Sequence, residues 1–153
     1  MTQSKTALGQ MERMLYLKAL PAFAQLADTE LAVVAHVTKL RTVADGAVLL
    51  RQGDRNHATY VVVSGRVKQL KDGQVTGTSE RRIGVGALAM FAEQRNDETV
   101  LADGPTVVLE LARHRVSDVL EEHFSILSQI LSFLAREVLD AFRLINRDYS
   151  VPF

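Results

Sequence analysis

Four histidines, His36, His57, His114 and His123, are the side chains of this chain whose type best suits metal binding or proton transfer. Their spacing supports neither. They share no helical-turn interval with one another, and none belongs to a carboxylate–imidazole ligand motif. Glu121-Glu122-His123 does set carboxylates beside an imidazole, but it lies where a helix should end, and a solvated terminus is the expectation there. Ser64 precedes Gly65 without the flanking pattern of a nucleophile elbow. Arg81-Arg82 reads as charge that blocks the pairing of a strand edge. The absence of cysteine removes disulfides, thiolate catalysis and thiolate metal sites, and fits a reducing compartment. The side chains therefore point to no enzyme and no metal site.

Bulk composition narrows the partners further. The 153 residues fit one domain, with 18 basic and 18 acidic side chains that cancel. No net field draws such a chain to nucleic acid or to an anionic membrane. The opening MTQSKTALGQ lacks the apolar core of a signal peptide, and no apolar run approaches the ~20 residues of a membrane span. The expectation is a cytoplasmic, soluble domain.

The elements that would position any site are announced by turns. Val43–Val67 reads VADGAVLLRQGDRNHATYVVVSGRV, short apolar runs cut by Gly46, Gly53 and Gly65, with Asp45 and Asp54 beside two of them. Gly supplies positive φ, and Asp hydrogen-bonds such turns. Strands are expected at Lys39–Val43, Ala47–Arg51, Thr59–Ser64, Arg66–Leu70, Val75–Ile83, Glu98–Asp103 and Thr106–Ala112. Asp72-Gly73 marks a hairpin, and Asp103-Gly104-Pro105 another turn joining the last pair. Helical spacing brackets the strands: Met11–Leu20, then a helix with Asp28 as N-cap, and after the strands Val116–Glu122 and Phe124–Arg147. The layout is mainly β with flanking helices, a jelly roll or sandwich. The reading divides it into a flexible arm at 1–10, N-terminal helices at 11–37, a jelly roll at 38–113 and C-terminal helices at 114–147, the domain running to residue 153.

The pattern Gly-Ala, three apolar residues, Gln-Gly-Asp, a gap, then Tyr-Val-Val-Val-Ser-Gly-Arg-Val resembles the cyclic nucleotide-binding domain family. So does the opening LKALPAFAQLADTELAVVAHV, a leucine-rich helix, a Pro-x-Phe break and a second short helix. The resemblance implies a β jelly roll with helices at both ends. It also implies a phosphate-binding cassette: a Gly-Glu pair whose Glu takes the ribose hydroxyl, and an Arg about nine or ten residues later whose guanidinium fork pairs with the cyclic phosphate. Glu98-Thr99-Val100-Leu101-Ala102 resembles the strand that closes the cassette and sets the register. In that register Gly86 keeps the Gly, Ala87 takes the Glu position, Leu88-Ala89 match the usual Leu-Ala, and Asn96 takes the Arg position. Asp97 and Glu98 would repel a phosphate. Arg95 stands one residue from the expected cation and reads as a solvated loop residue. The expectation is a degenerate member without bound cyclic nucleotide or other cofactor, a regulatory or scaffold domain with a protein partner. The alternative is a second-messenger sensor, for a cyclic nucleotide or dinucleotide, with an atypical cassette built on Arg95.

On the wheel of the long C-terminal helix, Leu127, Ile130, Leu131, Leu134, Val138, Ala141, Phe142 and Ile145 form a central stripe, with Ile126, Phe133 and Leu144 to one side and Ala135 and Leu139 to the other. The apolar arc spans roughly 240°, against the ~100° that packing on one surface needs. Leu127, Leu134 and Ala141, with Ile130, Leu131, Val138 and Ile145, repeat at the three-four spacing of a helix–helix seam, so a homodimer is expected through this helix. The resemblance agrees, because the family commonly dimerises there.

Overall fold

The computed structural model describes residues 7–80, 84–86 and 92–146. Helix α1 (Gln10–Lys18), a 3-10 turn at Pro21–Phe23 and α2 (Asp28–His36) precede the strands. The strands are β1 (Lys39–Val43), β2 (Val48–Leu50), β3 (Ala58–Ser64), β4 (Val67–Lys71), β5 (Gln74–Ser79), β6 (Gly84–Val85), β7 (Thr99–Ala102) and β8 (Thr106–Ala112). Helices α3 (Arg113–Glu122) and α4 (Phe124–Ile145) follow. The strands form two antiparallel four-stranded sheets, ordered β1-β8-β3-β6 and β2-β7-β4-β5. This is the expected jelly roll with flanking helices.

Two layers of core follow from strand alternation, since successive side chains take opposite faces. Tyr60 and Val62 of β3 join Val108 of β8, Leu50 and Val100 between the sheets. Val61 and Val63 join Val107, Leu109 and Leu111 against the helices, where Leu17, Phe23, Leu31, Ile126 and Ile130 pack. A strand covered on both faces must be apolar throughout, which is why TYVVV reads as an unbroken run.

The turns behave as their residues demand. Gly46 and Gly65 have φ of 77° and 79°, and Asp72-Gly73 turns β4 into β5 with φ of 51° and 79°, the two-residue hairpin expected. At Gly65 a Cβ would stand 2.5 Å from the Pro105 carbonyl oxygen. That glycine is required by contact as well as by conformation.

Several boundaries differ from expectation. Ala27, not Asp28, is the N-cap of α2, and the Glu30 carboxylate accepts a hydrogen bond from the Ala27 amide at 2.9 Å. A carboxylate three residues in reaches back to the cap more readily than the first helical residue can. The segment expected as a loose arm contributes Leu8 to the core, and Arg13 ties it to the entry of β1 by donating to the carbonyls of Leu8 and Thr38. The extended run expected from Val75 is two strands in different sheets, β5 beside β4 and β6 beside β3. The last two strands are likewise not partners: β7 pairs with β2 and β4, and β8 with β1 and β3. A jelly roll alternates its sheets along the chain, which local turn signals do not encode. Arg81 and Arg82 lie outside the described residues.

Candidate functional site

Two segments 40 residues apart in sequence meet at the mouth of the barrel: the loop from β2 to β3, Arg51–His57, and the run leading into β7, Ala92–Glu98. Backbone bonds clip them together. Asn96 N donates to Asp54 O at 2.8 Å, Gly53 N to Asn96 O at 2.9 Å, and Asn56 N to Gln94 O at 3.2 Å.

Two asparagine side chains complete the clip. Asn96 is buried, its Nδ2 donating to Arg51 O at 3.0 Å and its Oδ1 accepting from Asn56 Nδ2 at 3.0 Å. Asn56 is also buried; its Nδ2 reaches Gly86 O at 3.2 Å, and its Oδ1 accepts from Ala58 N at 3.1 Å. Buried amides retain such positions only when their donors and acceptors are used, and these are. Gly86, at φ 88°, lies so close to the clip that a Cβ would meet Asn56 Nδ2 and Ala58 O at 3.0 Å.

Beside the clip lies a cleft of about 230 Å³, lined by Leu50, Gln69, Gly86, Asn96, Asp97, Glu98 and Val100. No cation is among these described lining residues. Asp97 is exposed, 4.0 Å from Lys71 Nζ, and Glu98 accepts from Thr76 Oγ1 at 2.9 Å. Thr99 opens β7, and its Oγ1 accepts from Gln52 N at 3.0 Å. Arg95 is exposed outside this lining, with Nη1 donating to Gly53 O at 2.8 Å. The structure therefore brings Gly86 and Asn96 together, puts Arg95 and Thr99 on neighbouring loop and strand bonds, and adds Asn56, which the sequence reading missed. Nothing in Arg55-Asn56-His57 except polarity could have flagged that residue. Ala87, Leu88 and Ala89 lie outside the described residues.

A second polar network joins β1, β8 and the start of β3. Arg41 Nη1 contacts Glu110 Oε2 at 2.6 Å, and Tyr60 Oη lies 3.2 Å from His57 Nε2. The hydrogen bond to Glu110 raises the Arg41 guanidinium above its ordinary value. Burial, reinforced by the Glu110 charge, pushes the Tyr60 hydroxyl up to about 12. Among the described residues no group of three or more His, Asp or Glu side chains is arranged to hold a metal, and no helix is long and apolar enough to cross a membrane.

Of the residues assigned to a helix–helix seam, Ile130 is a correction: it is 2% exposed and packs into the chain's own core, as does Ile126. Leu134 packs partly against the same core. Leu131, Val138, Phe142, Leu144 and Ile145 are exposed. The helix leans on the Pro21–Phe23 turn and α3 by one edge of its stripe, so its exposed apolar residues lie toward the other edge.

Two antiparallel sheets with helices at both ends define a jelly-roll architecture of the cyclic nucleotide-binding type. The profile of the cyclic nucleotide-binding domain matches residues 40–123, more than half of the chain, and the protein belongs to that family. A cAMP-dependent protein kinase regulatory subunit of Mycosarcoma maydis is 30% identical over 132 residues, covering 83% of this chain and 25% of that one. A lysophospholipase of Aspergillus oryzae is 29% identical over 103 residues, 64% of this chain and 7% of the enzyme. The chain thus spans a minor part of these relatives. Among solved structures, the N-terminal domain of a transcriptional regulator from Streptomyces coelicolor A3(2) superposes with a TM-score of 0.77 at 22% identity, covering 85% of this chain and 94% of that one. At that identity the likeness concerns the fold.

Proposed function

We propose that this domain is a non-enzymatic, cytoplasmic regulatory or scaffold module that has lost cyclic nucleotide binding and works through protein–protein contacts, including a second copy of itself. One observation carries the loss of binding. Asn96, at the position where the resemblance puts the phosphate-pairing arginine, is buried and spends its amide on Arg51 O and Asn56. It offers a phosphate no charge, and the charged groups in the described lining of the adjacent cleft are both carboxylates, Asp97 and Glu98. Burying a phosphate there without a cation is strongly unfavourable. Arg95 is a poor substitute, because it stands exposed and outside the described cleft lining, with one donor tied to Gly53 O; this weighs against the alternative of a sensor with an atypical cassette.

Self-association is supported by a row on α4. Phe124, Leu131, Val138 and Ile145 recur every seven residues and are 77%, 55%, 67% and 79% exposed. Leu127, Leu134 and Ala141 run beside them at the complementary spacing. A seven-residue row of large apolar side chains in water is suited to a like row on another helix, and small Ala141 permits close approach.

Calorimetric titration with cyclic AMP and cyclic GMP tests the binding claim. No heat and no thermal shift are expected at millimolar ligand, whereas a ligand at a hundred times its dissociation constant would add about 2.7 kcal/mol. A low-micromolar dissociation constant for either nucleotide would replace this reading with the sensor.

A further inference from the structure

A second, open cleft of about 400 Å³ is lined by cationic groups. Its lining is Arg55, Asn56, His57, Arg113, His114 and Ser117. It holds two guanidiniums, two imidazoles and a hydroxyl, and no carboxylate is among these described lining residues. In a chain whose formal charges sum to zero, so local a concentration of cationic donors is a departure from the average surface.

The groups come from two segments whose relative position is fixed. Arg113 N donates to His57 O at 2.9 Å, tying the first residue of α3 to the loop before β3. His57 is further held by Tyr60, 3.2 Å from Nε2 to Oη with the rings edge to face. Arg113, His114 and Ser117 line the cleft from the first two turns of α3, whose opening turn is capped by no side chain and contains no acidic residue. One carboxylate competes for the cations: Glu93, from the run before β7, forms an ion pair with Arg113. Arg55 and His114 are exposed and form no ion pair among the described residues.

We propose that this cleft is an oxyanion site that takes the phosphate group of a small phosphomonoester, independently of the family's cassette. The fork of Arg55 supplies paired donors, His114 and Ser117 supply single ones, and Arg113 joins them on release from Glu93. Guanidinium geometry matches a phosphate face, and charge-assisted bonds of this kind are the strong ones. The site reads phosphate by charge and donor geometry and does not require the bases or ribose that a cassette would grip.

Titration of the full chain with inorganic phosphate, followed by amide NMR at constant ionic strength, tests this. Saturable shifts are expected at residues 55–57 and 113–117, and chloride at the same ionic strength should not reproduce them. Arg55→Gln and His114→Gln remove exposed side chains with no described partner, so the fold should persist while affinity falls about tenfold for each. Glu93→Gln should instead tighten binding, because it frees Arg113. Shifts spread over the surface, shifts matched by chloride, or shifts unchanged in both the Arg55 and His114 variants would overturn the site.

Discussion

Asn56 Nδ2 donates to Asn96 Oδ1 at 3.0 Å, joining the loop after β2 to the approach of β7 across 40 residues of sequence. Both side chains are buried. Removing Asn96 leaves Asn56 Nδ2 short of an acceptor and takes from Arg51 O one of its two donors, Asp54 N remaining at 3.1 Å. Removing Asn56 takes away the partner of Ala58 N and of Gly86 O. Asn96→Ala and Asn56→Ala are each expected to destabilise by about 1–3 kcal/mol in urea unfolding. The double variant should lose less than the sum, with a coupling of about 0.5 kcal/mol or more. Strict additivity would mean the two amides do not act together.

Gly65 and Gly46 share a positive φ but not their surroundings. A Cβ at Gly46 meets open space, whereas at Gly65 it meets Pro105 O at 2.5 Å and Thr106 Cα at 2.9 Å. Gly46→Ala should therefore cost only the conformational penalty, about 1–2 kcal/mol. Gly65→Ala adds a backbone clash and should cost about 3 kcal/mol or more. Equal midpoints in denaturant for the two variants would contradict the packing at Gly65.

Tyr60 makes stability sensitive to alkali. Its hydroxyl is neutral when protonated, and the folded state holds that form up to about 12, against 10.0 for the free group. The unfolded chain thus loses the proton first as pH rises. The contribution is fully present below about pH 10 and is lost between about 10 and 12, some 2–3 kcal/mol in all. Tyr60→Phe should flatten the alkaline limb of a stability–pH curve relative to the unsubstituted protein. An unchanged slope would place the titration elsewhere.

Self-association along α4 predicts a mass that rises with concentration in sedimentation equilibrium at micromolar protein. Val138→Glu is the informative variant, because Val138 is 67% exposed and makes no part of the described core. It should abolish association, by setting a charge in the seam, and leave the thermal midpoint of the monomer unchanged. Leu134→Glu, at a residue packed partly on the chain's own core, should lower stability as well. A mass that stays monomeric at all concentrations would end the proposal of a seam.

The sequence by itself determined the features that depend on neighbours in the chain. Gly46, Gly65 and Asp72-Gly73 announce their turns because positive φ is a local demand that few residues meet. The unbroken apolar run of β3, the break at Pro21 and the helical period after Val116 are local in the same sense. Together they were enough for a mainly β layout with flanking helices, a jelly roll or sandwich, and the family resemblance narrowed it to the jelly roll. What only the tertiary structure decided involves residues distant in sequence. β5 and β6 enter different sheets because the roll folds over itself, which no residue between them records. The wheel of α4 predicted a stripe too wide for one surface, but the position of the barrel chose Ile126 and Ile130 as its inner edge and left Leu131, Val138 and Ile145 outside. Asn96 was legible as the absence of a cation. Its burial against Asn56, and the collection of Arg55, His57, Arg113 and His114 around one cleft, arise from long-range strand pairing. A side chain's type can be read from the chain, but what it faces is set by the closed fold.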